Sequence, residues 1–356
     1  MILQPGTAVP VGATYLASTP EHVRWGRLPC EADAPVLSVE SGSQVVIDTI
    51  SHEGILEDQG RDPLAFFGSH GVGDGEVLED AVALAASDHP RTWGVDGPHV
   101  VTGPIEVAGA EVGDLIAMHV LETVPRVPYG VVSNRHGKGA LPGEFPQDGE
   151  VFSVFCSVGE RDGRAVGVLP VAPGSERTVA FDLHPFLGTM GVAVAGSERP
   201  HSVPPGPFGG NLDINLLTSG STLYLPVQVA GALAYVGDPH FAQGDGEVAL
   251  TAMEASLRVR VGFEVIARED ALAAFGELVG PVAETAEYLV PTGLDLDLDV
   301  AVQHCVRAAI ALLQARFGMD PRHAYAYLSA ATDFRISQVV DVVKGVHATI
   351  RKSDFA

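Results

Sequence analysis

Residues 237–247 read Gly-Asp-Pro-His-Phe-Ala-Gln-Gly-Asp-Gly-Glu, and this stretch separates two apolar segments of the chain. Before it, residues 223–236 form an apolar run that turn residues interrupt twice, and after it residues 248–265 alternate as a strand does. The pattern predicts a polar, glycine-rich loop held between two buried strands. Glycine allows left-handed backbone conformations and the close approach of a ligand.

The same loop concentrates side chains that can bind a metal or transfer a proton. Asp238, His240, Asp245 and Glu247 lie within ten residues of one another, and carboxylate and imidazole are the usual groups for both tasks. Runs of Asp and Gly are also ordinary turn chemistry, in which the acids are solvated or hydrogen-bond to the backbone. The spacing alone leaves both interpretations open.

The composition favours a large, β-rich protein. The 356 residues are 46% hydrophobic and 19% charged, with 41 Gly and 25 Pro, which is typical of many short strands and turns. Helical spacing of apolar residues is found near 295–330, where Asp320 and Pro321 also predict the start of a second helix. We predict a mostly β, α+β fold: two β-sandwich-like lobes at 1–165 and 166–290, and a helical segment with a closing strand at 291–356.

The charge and the cysteines limit the function classes. The formal net charge is −24, and a field of that sign repels nucleic acid and anionic membranes but suits a neutral substrate. The three cysteines are far apart in sequence, so neither a disulfide framework nor a thiolate zinc site is indicated. No export signal or membrane span is recognised, so we expect a cytoplasmic protein without nucleic-acid or membrane partners.

Two other regions carry candidate site residues. The acidic loop 51–62 follows a predicted strand and contains His52 and Asp58, and His99 directly precedes another predicted strand. Rigid scaffolds display functional groups on such loops. A solvated acidic loop and a structural histidine are the alternatives, and the residues themselves leave both open.

Several stretches, in order along the chain, resemble the acetamidase/formamidase family. The family's patterns are Gly-Gly-Asn-x-Asp, found here at 209–213, Thr-x-Gly-Ser-Thr-Leu-x-Leu-Pro-Val, found at 218–227, and Gly-Asp-x-His-x-x-Gln-Gly-Asp-Gly-Glu, found at 237–247. The similarity extends to 99–104, 185–191 and 332–341. It therefore covers most of the chain.

The resemblance implies an amidohydrolase that converts a small neutral aliphatic amide, such as formamide or acetamide, to a carboxylate and ammonia. The sequence has no Gly-x-Ser-x-Gly nucleophile motif, and we therefore favour a metal-activated water as the nucleophile. The family tends to be oligomeric, so we expect a homodimer or a larger oligomer. The long polar insert at 130–143 is a candidate lid or dimer contact.

We predict that the loops 51–59, 99–104 and 237–247 meet in space and form the active site. Zinc is the expected metal, with calcium as the alternative, because imidazole suits zinc better than calcium. The predicted metal ligands are His52, Asp58, His99, Asp238 and His240. The predicted catalytic residues are Glu247 as general base, Asn211 as the group that holds the amide, and Asp245; the predicted substrate-binding residues are Phe208, Gly210, Phe241 and Gln243.

A competing hypothesis belongs to a different class of protein. It is a non-catalytic β-sandwich binding protein whose acidic, glycine-rich loops hold calcium for structure alone. The histidines argue for zinc instead.

If Phe208 and Phe241 face the pocket, the preferred amide is larger than acetamide.

Overall fold

The computed structural model describes residues 2–147 and 149–355, and its architecture is mostly β, as predicted. Within these residues the strands are, in chain order, β1 (Thr14–Leu16), β2 (Val23–Trp25), β3 (Leu37–Glu40), β4 (Gln44–Asp48), β5 (Val100–Ala108), β6 (Leu115–Pro125), β7 (Tyr129–Arg135), β8 (Val151–Arg161), β9 (Arg164–Pro170), β10 (Thr178–Asp182), β11 (Phe186–Gly191), β12 (Gly209–Asn211), β13 (Ser221–Pro226), β14 (Ala234–Ala242), β15 (Met253–Glu254), β16 (Leu257–Ile266), β17 (Val282–Glu284), β18 (Tyr288–Asp295), β19 (Asp333–Gln338) and β20 (Lys344–Arg351).

Helices are few in the described part of the chain. The α-helices are α1 (Pro63–Gly68), α2 (Glu79–Ala86), α3 (Arg268–Phe275), α4 (Leu298–Phe317) and α5 (Pro321–Ala331). Short 3₁₀ turns occupy Glu57–Gln59, Asp74–Glu76 and Lys352–Phe355.

The strands form two large sheets. Sheet I has nine strands in the order β1-β4-β16-β6-β13-β17-β18-β20-β19. Sheet II has eleven strands, of which eight follow the order β10-β9-β8-β7-β15-β14-β11-β12, while β5 pairs with β14, β2 and β3. The pairs β1–β4 and β3–β5 are parallel, and neighbours such as β14–β15 and β16–β6 are antiparallel.

Both sheets draw strands from distant parts of the chain. In sheet I, β4 pairs with β16 although more than two hundred residues separate them, with Asp48 opposite Arg258. The main hydrophobic core extends in sequence from Leu16 to Val290. The sheets therefore do not follow the ranges 1–165, 166–290 and 291–356, and independent folding of those ranges stays a prediction.

Strand β14 carries the first half of the motif at 237–247 into the protein interior. Eight of its nine residues are buried, because β5, β11 and β15 flank it. The predicted loop therefore begins only at Gln243. The strand predicted at 248–265 is also shorter than expected: Leu250 has a left-handed φ of 102°, and pairing resumes at β15 and β16.

The two C-terminal helices confirm the prediction for 295–330. The Asp297 carboxylate accepts hydrogen bonds from the first backbone N–H groups of α4, and Gly318 ends that helix with a left-handed φ of 65°. Asp320 caps α5 in the same way. Helix α4 packs closely on β18, since a Cβ at Gly293 would lie 2.1 Å from the Ala301 carbonyl oxygen.

Candidate metal and active site

Three histidines and several carboxylates converge beside β14, and all of them are buried. His52 comes from the segment after β4, and His99 from the residue before β5. Asp238 and His240 lie on β14 itself, two residues apart, so their side chains can point to the same face of the sheet. The ligand atoms of His52, His99 and Asp238 all lie within 4.8 Å of one another.

Glu254 completes this arrangement from the neighbouring strand β15. It is the direct cross-strand partner of His240 in the β14–β15 register, and side chains at such positions lie close together. The Nε2 atom of His240 is 3.1 Å from Glu254 Oε1 and 3.1 Å from Asp238 Oδ2. No sequence pattern marks Glu254, because only the strand register places it beside the motif.

The second ring nitrogen of His52 and of His99 is held by a hydrogen-bond acceptor. His99 Nδ1 lies 3.1 Å from the Ser202 carbonyl oxygen, which can only accept, so Nδ1 carries the hydrogen and Nε2 keeps its lone pair. His52 Nε2 lies 3.3 Å from Glu53 Oε1, which leaves His52 Nδ1 as the free nitrogen. Acceptors of this kind orient metal-binding histidines in proteins.

Gln243 accepts a hydrogen bond from the ring of His240 and fixes its tautomer in the same way. Its Nε2 donates to the carbonyl oxygens of Asp213, at 2.9 Å, and Ser337, at 3.1 Å, so its Oε1 must accept. That oxygen lies 3.0 Å from His240 Nδ1. The free nitrogen of His240 is therefore Nε2, which faces Asp238.

The cluster contains buried polar atoms that lack a hydrogen-bond partner among the described residues. Such atoms are costly to bury, at about 1–3 kcal/mol each, unless a ligand satisfies them. They are His52 Nδ1, Asp213 Oδ1, Asp238 Oδ1, Glu247 Oε2 and Glu254 Oε2. A set of imidazole nitrogens and carboxylate oxygens suits a divalent metal ion such as zinc.

Gly188 on β11 keeps space open at this point. A Cβ there would lie 2.7 Å from Asp213 Oδ1, 2.7 Å from Asp238 Oδ2 and 2.7 Å from His240 Cε1. Any side chain at position 188 would therefore occupy the space between the carboxylates. The donor set and this space together fit a bound cation.

Three carboxylates of the cluster lie on strained backbone. Asp213, Asp238 and Glu247 have left-handed φ values of 52°, 49° and 46°, a region in which residues other than glycine are uncommon. Such conformations cost about 1–3 kcal/mol each and concentrate at functional sites. Glu247 lies in the loop after β14.

The electrostatics divide the cluster into two parts. Burial opposes the charge on His52, yet the carboxylates of Asp238 and Glu53 beside its ring raise its pKa to about 10, whereas burial lowers the pKa of His99 to about 4. Burial also opposes ionisation of Asp238, but His99 and His240 hold its pKa well below the usual range. The surroundings of Asp238 thus favour positive charge, and a proton on His52 supplies it when no metal ion is bound.

The second part contains acids that favour the protonated form. Burial and the nearby Asp341 raise the pKa of Glu247 well above its usual range, and burial and Glu247 do the same for Asp213. Burial raises the pKa of Asp341 to about 7. Since Asp213, His240 and Glu247 also bring ligand atoms within 4.8 Å of one another, this part can hold a cation or a transferable proton.

Known proteins with a similar sequence and a similar fold belong to one family. The sequence model of the Acetamidase/Formamidase family matches residues 172–351, about half of the chain. This chain belongs to the acetamidase/formamidase family. It is therefore an amidase, a hydrolase of the carbon–nitrogen bonds of linear amides, which disfavours the competing hypothesis of a non-catalytic binding protein.

Individual family members are similar over different lengths. The formamidase of Methylophilus methylotrophus is 27% identical over 305 residues, covering 68% of this chain and 74% of the relative. The acetamidase of Mycolicibacterium smegmatis is 29% identical over 199 residues, covering 42% of this chain and 49% of the relative. The crystal structure of an acetamidase from Yersinia enterocolitica has a TM-score of 0.73 and 25% identity, covering 99% of this chain and 96% of that one.

The structure brings most of the predicted ligands of this amidase together, with one departure. His52, His99, Asp238 and His240 share the cluster, whereas Asp58 does not reach it. The Asp58 carboxylate instead lies 2.6 Å from Arg135 Nε, because the 3₁₀ turn that carries it faces β7. The predicted convergence of the three loops is otherwise present.

Two of the predicted catalytic residues, Asn211 and Asp245, are hydrogen-bonded to other residues of the chain. Both hydrogens of the Asn211 side-chain amide are engaged, since it donates to Asp213 Oδ2 at 3.0 Å and Asp341 Oδ2 at 2.9 Å. Asn211 thus positions two acids, and its contact with a substrate stays a prediction. Asp245 is on the exposed side of the loop, where Asn215 donates to its carboxylate at 3.0 Å.

The two predicted pocket phenylalanines do not line the site. Phe241 is fully buried in the main core, because its side chain points to the opposite face of β14 from that of His240. Phe208 packs against Leu28 and Tyr235. Gly210 lies beneath the Phe208 ring, and a Cβ at position 210 would lie 2.9 Å from that ring. The family motif at 209–213 therefore contributes to packing as well as carrying Asn211 and Asp213.

A pocket of about 420 Å³ opens beside the loop of this family member. Glu247 and Gln243 are among its lining residues. Because Glu247 also belongs to the buried ligand group with Asp213 and His240, it connects the pocket to the cluster. A molecule in the pocket therefore lies beside Glu247.

Proposed function

We propose that this amidase hydrolyses a small neutral amide with a water activated by a divalent cation, which His52, His99 and Asp238 hold. The observation that carries the proposal is the pair of buried atoms without hydrogen-bond partners, His52 Nδ1 and Asp238 Oδ1, which face each other at 3.5 Å. Zinc is the preferred cation because the cluster is rich in imidazole. Such a cation lowers the pKa of a bound water to about 7 and polarises a carbonyl group.

The residues of the chain prepare the site for this reaction. Glu53 and Ser202 hold the rings of His52 and His99 with the free nitrogens towards Asp238. Fixed ligands of this kind need no reorganisation when the substrate arrives. Burial of the whole cluster excludes bulk water, so electrostatic interactions inside it are stronger than they are in solution.

We assign Glu247 as the proton acceptor. Its Oε2 is free of hydrogen bonds from the described residues, and the residue lines the pocket that a substrate can enter. A carboxylate whose pKa is raised towards the operating pH is suited to take a proton from water and return it to the leaving nitrogen. Asp213 brings a ligand atom within 4.8 Å of Glu247, and the nearby Asp341 also raises the pKa of Glu247.

Metal analysis combined with an ammonia-release assay tests the proposal. The purified protein is expected to contain about one equivalent of zinc or another divalent ion, to lose turnover of formamide and acetamide after chelation, and to regain it when the ion is restored. Full activity in the chelated, metal-free protein would exclude the activated-water mechanism. Stability lost on chelation without turnover of any amide would indicate a structural calcium site instead.

We also propose that the enzyme is a homodimer or a larger oligomer in the cytoplasm. The segment after β7 supports this proposal, because Leu141 and Phe145 are 50% and 47% exposed there and apolar side chains of this size favour an interface. Light scattering at micromolar concentration measures the oligomeric state, and a monomer would contradict the proposal. Cell fractionation tests the location.

A further inference from the structure

The pocket beside Glu247 has apolar walls. It lies between β7, β9, β10 and β15 and the loop after β14, and its volume is about 420 Å³. The apolar side chains around it are Val132, Leu169, Phe181, Val248 and Met253. Ligand pockets in proteins range from ~300 to 1,000 Å³, so this space can hold a molecule much larger than acetamide.

We propose that the preferred substrate is a primary amide with a medium-length apolar acyl chain, of which hexanamide is the test example. The amide group would lie near Glu247, and the acyl chain would lie against Leu169, Phe181 and Met253. This inference rests on the proposed amide hydrolysis and names its substrate class. Water adds to the carbonyl carbon, the carbon–nitrogen bond breaks, and the products are hexanoate and ammonium.

The aromatic wall is fixed by the strands that carry it. Phe181 on β10 lies directly opposite Gly167 on β9. A Cβ at Gly167 would lie 2.5 Å from the Phe181 ring and 3.0 Å from Met253 Sδ. The missing side chain at position 167 thus lets the ring lie flat on the sheet beside Met253, and the wall exists before any ligand arrives.

The charges near the rim have partners of their own. Asp182 Oδ1 lies 2.7 Å from Arg161 NH2, and Asp245 Oδ2 lies 3.6 Å from Arg335 NH1. Each of these two acids thus has an arginine beside it at the rim. An apolar chain therefore gains more from this pocket than a charged one, because its contacts are with Leu169, Phe181 and Met253.

A chain-length series tests the inference on the metal-loaded, full-length enzyme. Ammonia release is measured with formamide, acetamide, butanamide and hexanamide, and kcat/KM is compared. We expect kcat/KM to rise about fourfold for each added methylene, the change that corresponds to ~0.8 kcal/mol per buried CH₂ at ~1.4 kcal/mol per factor of ten. 6-Aminohexanamide, which carries a charge at the end of the chain, is expected to lose this gain.

Substitutions in the apolar wall of the pocket test whether the acyl chain binds there. Phe181→Ala is expected to lower kcat/KM for hexanamide about tenfold, through KM, and to affect acetamide much less, since acetamide cannot reach the ring. Val112→Ala is the control, because Val112 is 67% exposed and lies outside the pocket. Leu169→Ala serves the same purpose as Phe181→Ala if the latter does not fold.

The outcomes separate this inference from the proposed function. Turnover of formamide and acetamide without any preference for longer chains would overturn the inference and leave amide hydrolysis in place. A chain-length preference that Phe181→Ala and Leu169→Ala do not change would also overturn it, because the chain would then bind elsewhere. No turnover of any amide by the metal-loaded enzyme would overturn both.

Discussion

Glu53 decides the orientation of His52, and its own position is fixed from four sides. Its Oε2 accepts a hydrogen bond of 2.5 Å from Ser133 Oγ and a second one from Gln59 Nε2. Its Oε1 lies 3.2 Å from Arg135 NH1 and 3.3 Å from His52 Nε2. Burial opposes ionisation of Glu53, but Arg135 and His52 lower its pKa to about 2, so it remains an acceptor at neutral pH.

We expect Glu53→Gln to lower zinc affinity by about 10- to 100-fold, the usual effect of losing such a partner. The glutamine keeps the shape of the side chain but removes the charge that fixes the hydrogen on His52 Nε2. Competition with a chromophoric chelator measures the affinity. Glu57→Gln, on the same loop but paired with Arg91, is the control, and equal affinities in the two variants would show that Glu53 does not orient the ligand.

Glu247→Gln is expected to reduce amide turnover by at least about 100-fold, the lower end for a lost general base. Folding and metal content should be unchanged, because His52, His99 and Asp238 keep their contacts. Asp245→Asn is the comparison on the same loop, where the carboxylate is exposed and bonded to Asn215. Near-native turnover would remove Glu247 from the mechanism, and loss of the metal would make it a ligand.

Strands β11 and β14 bring the ligands close together because β11 has no side chain at position 188. We expect Gly188→Ala to reduce zinc binding by more than tenfold, since its Cβ would lie 2.7 Å from three atoms of the site and those atoms must move. Isothermal titration with zinc measures the effect. Gly280→Ala is the control: its added Cβ has no atom within 4 Å, so this variant should bind zinc normally. Normal zinc binding by Gly188→Ala would show that the space beside Gly188 is not part of the metal site.

The site depends on segments that are remote in sequence. His52, His99, Asp238, Glu254 and Asp341 come from five parts of the chain and are buried together. Asp341 is joined to the others through Asn211 Nδ2, at 2.9 Å. Unfolding of the molecule therefore releases all the buried acids at once, which links its stability to pH.

We expect the metal-free protein to lose stability as pH rises from about 4 to about 7, in part because of Asp341. An acid whose pKa is raised from 3.8 to about 7 in the folded chain binds a proton there that the unfolded chain has lost. Its contribution is complete below the unfolded pKa and disappears as pH passes the folded pKa. Asp341→Asn should flatten this fall in Tm, measured by calorimetry after chelation, relative to the exposed control Asp333→Asn. An unchanged slope would contradict the assignment.

The β-rich class, the helices α4 and α5 and the family could all be predicted from the residues alone. These features depend on local signals: turn residues at short intervals, apolar residues at helical spacing, and capping residues such as Asp297 and Asp320. The motif at 237–247 likewise contains Asp238, His240 and Glu247 within a few positions. Local signals survive folding because the interactions behind them join residues close in the chain.

Contacts between distant segments determine which acids belong to the site. Glu254 reaches His240 through the register of β14 and β15, and no short pattern encodes a register. Asp58 had the right chemistry and the right loop, but Arg135 on β7 pairs with it. Phe241 lies in the motif yet packs in the core, because consecutive side chains of a strand point to opposite faces. Contacts of this kind join residues far apart in sequence, so they become fixed only when the sheets assemble.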